Sequence, residues 1–145
     1  MSKAKFTTAE LKRRNFQRIA RIIFELWEEG RGNTNLLNDI LIPDEWVLAG
    51  TSVNGGGYRE HVVPRSYIYD KCLDMFKEKR SIEEVGELIE KFLRIVYITK
   101  DEQRRVDVEK KLKKTMPEGW SFEEGDVFAR LKVAGIEILP STELE

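Results

Sequence analysis

The stretch Ser81–Glu102, SIEEVGELIEKFLRIVYITKDE, decides the fold because its hydrophobic period changes within one segment. Ser81 and Glu84 have the spacing of a capping box, which predicts the start of a helix. Residues 95–98 are β-branched and aromatic, which is typical of a strand. Thr99 and Glu102 repeat the capping-box spacing and predict another helix. The apolar positions of the first helix recur at intervals of three and four: Val85, Leu88, Ile89 and Phe92.

The chain on either side extends this alternation of helices and short strands. Thr7 and Glu10 form another capping-box pattern and begin an N-terminal amphipathic helix, which ends at Gly30 and Gly32. Residues 31–44 are predicted to be a loop with one helical turn. The remaining predicted elements are a strand at 45–49, a positive-φ glycine turn at 50–57, a strand ending near Val63, helices at 65–79 and 99–114, a short helix after Asp126, and an edge strand at 136–139.

Length and composition predict a single α+β domain, mostly helical, over residues 1–145. Hydrophobic residues make up 41% and charged residues 35% of the chain, which is typical of a protein with a packed core. We divide it into an N-terminal helix (1–32), a finger-like core (45–114) and a C-terminal turn, short helix and tail (115–145). The net charge is −1, so a nucleic acid would need a local basic patch.

Other features of the sequence indicate a cytoplasmic protein. The one cysteine, Cys72, excludes an internal disulfide and is expected in the core of a protein from a reducing compartment. No apolar stretch approaches the roughly 20 residues that span a bilayer, so no membrane contact is expected. The polar N-terminus has no apolar segment behind it, and no signal peptide is predicted.

The candidate catalytic residues lie within residues 58–65. Here the only histidine of the sequence, His61, follows Glu60 at the end of a predicted strand. The strand at 95–98 is expected to return antiparallel beside it, and a helix starts at Thr99. This is a ββα-finger arrangement interrupted by two helices. The run Glu60-His61-Val62-Val63-Pro64 resembles the opening box of the HNH, or His-Me finger, endonucleases, which reads acid-His-apolar-apolar-Pro.

The resemblance implies a metal-dependent nuclease that hydrolyses DNA phosphodiesters. His61 would be the general base, Glu60 the first metal ligand, and either Glu102 or Gln103 the second ligand. Carboxylate and amide oxygens suit Mg²⁺ or Mn²⁺. The family's orienting asparagine and closing histidine have no counterpart after His61, which leaves an alternative open. This alternative is a non-catalytic module that binds a protein or a nucleic acid.

Basic residues near the finger supply candidate phosphate contacts. We predict that Arg59, Arg65, Arg104 and Arg105 bind nucleic acid, although the last two also fit a solvated, mixed-charge helix face. The cluster at 110–114 either binds nucleic acid or complements the dipole of a helix C-terminus. The apolar stripe of the first helix, from Ile19 to Trp27, would support a homodimer if it were exposed.

Overall fold

The computed structural model describes residues 5–32, 34–37 and 42–141 and confirms an α+β fold that is mostly helical. A 3-10 turn covers Thr34–Leu37, and a π-helical turn covers Arg105–Glu109. The helices are α1 (Thr8–Glu28), α2 (Asp44–Val47), α3 (Arg65–Lys77), α4 (Ile82–Phe92), α5 (Lys100–Arg104) and α6 (Ala129–Val133). The strands are β1 (Leu48–Ser52), β2 (Tyr58–His61), β3 (Ile95–Ile98) and β4 (Ile138–Pro140).

The four strands form one mixed sheet in the order β2-β3-β1-β4. β2 pairs antiparallel with β3, which confirms the predicted return of the second strand beside the Glu60–His61 strand. β1 lies parallel to β3 on its other side, so the sheet as a whole is not purely antiparallel. β2 and β4 are therefore the two edges of the sheet. The open edge strand β2 carries Glu60 and His61.

All three capping boxes predicted from the sequence form. The Thr7, Ser81 and Thr99 side chains each accept a hydrogen bond from the backbone N–H three residues on. In return, a glutamate at that position accepts from the backbone of the capping residue. These local patterns fix where α1, α4 and α5 begin.

The core is formed by α1, α3, α4 and the sheet. Ile19 and Ile23 of α1 are completely buried inside the chain. α1 approaches α4 closely at Gly86, where an added Cβ would lie 3.0 Å from Gln17 Cγ. The homodimer is predicted only if the apolar stripe of α1 is exposed. At Ile19 and Ile23 the stripe is buried within the chain, so this condition is not met at these two residues. No helix in the described part of the chain is long and apolar enough to cross a membrane.

Several predicted boundaries differ from the structure. The strand predicted at 45–49 begins only at Leu48, because Asp44 and Glu45 occupy the first turn of α2, and it continues to Ser52, so residues 50–52 of the predicted glycine turn belong to β1. Acidic side chains stabilise the start of a helix rather than a strand. The edge strand predicted at 136–139 begins at Ile138. The helix predicted to continue to Lys114 widens into the π-helical turn and ends at Glu109. Of the loop predicted over 31–44, residues 33 and 38–41 lie outside the described residues, and the 3-10 turn supplies the expected helical turn.

Candidate functional site

A groove of about 450 Å³ lies along the open edge of β2. We call it the β2 groove. Five of its lining residues carry a positive charge and two carry a negative charge, so it is a local basic patch on a chain of net charge −1. The lining residues are Tyr58, Arg59, Glu60, His61, Pro64, Arg65, Ser66, Asp107, Lys113, Lys114 and Arg130.

The partly buried His61 is the last residue of β2 and pairs in register with Ile95 of β3. Burial, together with the positive charges of Arg59, Arg65 and Arg130, lowers the pKa of its imidazole to about 3. The ring is therefore neutral at neutral pH. None of the described residues forms a hydrogen bond with the imidazole.

Glu60 is held by a buried arginine that comes from the C-terminal part of the chain. Its Oε1 lies 3.1 Å from Nη2 of Arg130, whose side chain is 1% exposed. Arg130 also donates to the carbonyls of His61 (2.6 Å) and Leu112 (2.8 Å). Burial raises the pKa of the Glu60 carboxyl, and Asp107 adds to the rise, whereas Arg130 lowers it. Arg130 thus anchors both the Glu60 carboxylate and the edge of β2.

A second carboxylate, Asp107, approaches the same guanidinium from the π-helical turn. Its Oδ1 lies 4.0 Å from Arg130 Nη2, and its side chain is 9% exposed. Gln103 donates a hydrogen bond to Oδ2. Oδ1 is buried and has no hydrogen-bond partner among the described residues. Single π-helical turns are rare and recur at functional sites.

Glu102 has partners far from Glu60. Its Oε1 accepts from the Thr99 N–H (2.9 Å), and its Oε2 accepts from Ser52 Oγ (2.8 Å) on β1. Burial tends to raise the pKa of this carboxyl, but hydrogen bonds, beginning with that from Thr99, lower it overall. Since β3 lies between β1 and β2, these bonds turn Glu102 away from the β2 groove.

The antiparallel register explains why Glu60 and Glu102 have separate partners. Glu60 lies opposite Val96, whereas α5 begins only after the far end of β3, which lies opposite Tyr58. Asp107 lies five residues beyond Glu102, in the π-helical turn, and it is this carboxylate that approaches Arg130, the partner of Glu60.

The predicted nucleic-acid contacts divide into two groups. Arg59 and Arg65 line the groove, and Arg59 also pairs with Asp44 at 2.9 Å. Arg104 and Arg105 do not line it, and Arg105 instead donates to the carbonyl of Ala134. Lys113 and Lys114 do line it, and they lie beyond the helix end at Glu109. The helix-dipole interpretation is therefore wrong for these two lysines.

Sequence reasoning did not find Asp107 or Arg130. Asp107 stands between two valines in a segment that resembles an ordinary amphipathic helix. Its only local signal is the spacing of four residues from Gln103, which permits their side chains to meet on a helix. Arg130 is flanked by Ala129 and Leu131, and a cation in such an apolar run indicates burial only weakly.

Comparison with protein-family models, curated protein sequences and solved structures finds no match. Within residues 5–32, 34–37 and 42–141, no group of three or more His, Cys, Asp or Glu side chains is placed to hold a metal ion. The ligand set Glu60, Glu102 and Gln103 is not assembled around one point: Glu102 bonds to β1, and the Gln103 amide bonds to Asp107.

Proposed function

We propose that the β2 groove binds the phosphodiester backbone of DNA and hydrolyses it with the help of a divalent metal ion, Mg²⁺ or Mn²⁺. The observation that carries this proposal is that one groove is lined by a neutral histidine together with two acidic and five basic residues. His61 lies beside Glu60, and Arg65, Lys113 and Lys114 line the same groove. Cations bind phosphates without regard to sequence, so the groove fits a nucleic-acid backbone.

The residues present can carry the steps of hydrolysis. The lysines would hold a phosphate in the groove, and the neutral His61 would take a proton from the attacking water. The negative charge of a bound phosphate opposes the effect of Arg59 and Arg65, so it would raise the pKa of His61 and make it a stronger base. A divalent ion, when bound, supplies stabilisation of the charge that develops on the phosphoryl oxygens. Glu60 would contribute a carboxylate to that ion.

A plasmid-nicking assay tests the enzymatic part of the proposal. Supercoiled plasmid is incubated with the full chain and either Mg²⁺ or Mn²⁺, and the His61→Ala variant serves as the comparison. General-base catalysis contributes about 10²–10⁴-fold, so the variant should nick at least about a hundred times more slowly. Equal rates for both proteins, or no nicking by either, would rule out the enzyme.

A specific observation favours a second candidate function, a non-catalytic DNA-binding module. An imidazole with a pKa of about 3 is a weak base, and no described residue orients it. In this case the groove would bind duplex DNA through its lysines without cleaving it. Retained binding together with absent nicking would identify this function.

Two wider predictions belong to the same proposal. We propose a cytoplasmic location, because Cys72 is a buried free thiol of the kind that persists in reducing compartments. We also propose that the chain binds DNA without dimerising through α1, because Ile19 and Ile23 of its apolar stripe are fully buried within the chain. A homodimer through α1 would need apolar surface that Ile19 and Ile23 no longer offer.

A further inference from the structure

The inner wall of the β2 groove contains a buried carboxylate oxygen whose hydrogen-bonding capacity is unused. Asp107 Oδ1 has no hydrogen-bond partner among the described residues, and its nearest cation, Arg130 Nη2, is 4.0 Å away. That separation exceeds the reach of a hydrogen bond. A buried charged acceptor that lacks a hydrogen bond destabilises the fold. A group from outside the chain that satisfied this oxygen would therefore bind favourably.

We propose that Asp107 and Glu60 together bind one divalent cation, with Asp107 Oδ1 as the second protein ligand in place of Glu102. The role of this ion rests on the proposed nuclease function, but its binding can be measured without DNA. Two carboxylates are sufficient, because Mg²⁺ commonly keeps several waters and binds through one or two carboxylates plus substrate phosphates.

The charges around Asp107 favour a cation over an anion. Glu60 and Asp107 carry two negative charges, and among the residues that the structure describes Arg130 is the one buried cation beside them. The pair of carboxylates would repel a phosphate, whereas Lys113 and Lys114, which line the same groove, would attract one. The cation would therefore be held by the carboxylates and the phosphate by the lysines.

The surrounding residues hold the two carboxylates in place. Gln103 donates to Asp107 Oδ2, which leaves Oδ1 as the oxygen available to an ion. Arg130 donates to Glu60 Oε1 and is itself fixed by the backbone carbonyls of His61 and Leu112. Such outer contacts orient metal ligands and raise affinity. Glu102, by contrast, uses both oxygens in hydrogen bonds to Thr99, Ser52 and Asn54.

Mn²⁺ binding to the full chain, stripped of metal and free of DNA, tests the proposal. Electron paramagnetic resonance of free Mn²⁺ gives the affinity of the wild type, Asp107→Asn and Glu102→Gln. We expect one site, a loss of about tenfold or more in Asp107→Asn, and a change below about threefold in Glu102→Gln. Both variants remove one carboxylate charge from neighbouring turns, so Glu102→Gln controls for charge alone.

Paramagnetic broadening of amide resonances in wild-type protein gives a second measurement that does not depend on a variant folding. Bound Mn²⁺ should broaden Glu60, His61 and Asp107 first. The inference is overturned if wild type binds no Mn²⁺ at millimolar concentration, if Asp107→Asn binds as tightly as wild type, or if the broadening is centred elsewhere. Mn²⁺ binding at Asp107 without plasmid nicking would refute the nuclease and leave the ion site standing. Nicking that survives Asp107→Asn would refute the ion site alone.

Discussion

Replacing the buried Arg130 by methionine should destabilise the fold strongly. Methionine keeps most of the side-chain length but removes every hydrogen bond of the guanidinium. Those bonds join Arg130 to the Glu60 carboxylate and to the carbonyls of His61, Leu112 and Lys113. The substitution would leave two carboxylates, Glu60 and Asp107, buried without their common cation.

The size of the effect follows from the burial of the pair. The Arg130 side chain is 1% exposed and that of Glu60 is 10% exposed, so water replaces little of the lost interaction. Breaking a buried ion pair by removing one partner costs about 3–5 kcal/mol. We therefore expect the free energy of unfolding of Arg130→Met to fall by about 3–5 kcal/mol.

Urea unfolding followed by tryptophan fluorescence measures the change. Lys132→Met is the matched control. It removes one positive charge from the same helix, but the Lys132 side chain is 67% exposed. An exposed pair contributes up to about 1 kcal/mol, so the control should change little. Adding Glu60→Gln to Arg130→Met should recover part of the loss, since one uncompensated charge disappears. If the free energies of unfolding of Arg130→Met and Lys132→Met differ by less than about 1 kcal/mol, the buried cluster of Glu60, Asp107 and Arg130 does not stabilise the fold as described.

Three further predictions concern pH, the thiol and the glycine turn. The first compares wild type with His61→Asn in EDTA between pH 7.5 and pH 5.0, where the free energy of unfolding of wild type should fall by about 2 kcal/mol more. The reason is that His61 takes up a proton below a pKa of about 6.5 in the unfolded chain, whereas in the folded chain it stays neutral down to about 3. Urea midpoints at the two pH values measure this difference, and identical losses in both proteins would contradict it. Cys72 is fully buried and burial raises its pKa to about 12, so Ellman's reagent at pH 8 should react with it only after urea is added. Rapid reaction of the native protein would show that the thiol is accessible. Gly56→Ala should cost about 1–3 kcal/mol, since Gly56 has φ +93° and an added Cβ would lie 2.3 Å from the Ile98 carbonyl oxygen. Gly57→Ala, with nothing within 4 Å, is its control, and equal urea midpoints for the two variants would refute the explanation.

The elements that could be predicted from the sequence are those set by local interactions. The capping boxes at Thr7, Ser81 and Thr99 join residues three positions apart, and each forms as expected. The antiparallel pairing of β2 with β3 also forms as expected from the finger-like order of strand, strand and helix around Glu60, Ile95 and Thr99. The position of β1, parallel to β3 on the opposite side from β2, depends on the whole sheet and has no local signal.

The candidate site could be predicted only in the part that the sequence shows as a contiguous motif. Glu60 and His61 are adjacent, and both line one groove. Arg130 contacts Glu60 from 70 residues away, so no spacing in the sequence indicates it. Asp107 reaches the site through the π-helical turn, which shifts side chains from the positions that a regular helix would give them. Tertiary contacts, including that of Arg105 with Ala134, accompany that turn and are not visible in the local pattern.

Duplex-DNA affinity as a function of salt concentration tests most directly whether the β2 groove binds phosphates, which both proposed functions require. Fluorescence anisotropy without metal compares wild type with two double variants, Lys113→Gln/Lys114→Gln in the groove and Lys110→Gln/Lys111→Gln outside it. Each lost phosphate contact lowers the slope of log affinity against log salt by about 0.9. We predict a decrease of about 1–2 in the groove variant and a change less than half as large in the other. Equal decreases in both variants, or no binding of DNA by wild type at low salt, would contradict a phosphate-binding groove at the edge of β2.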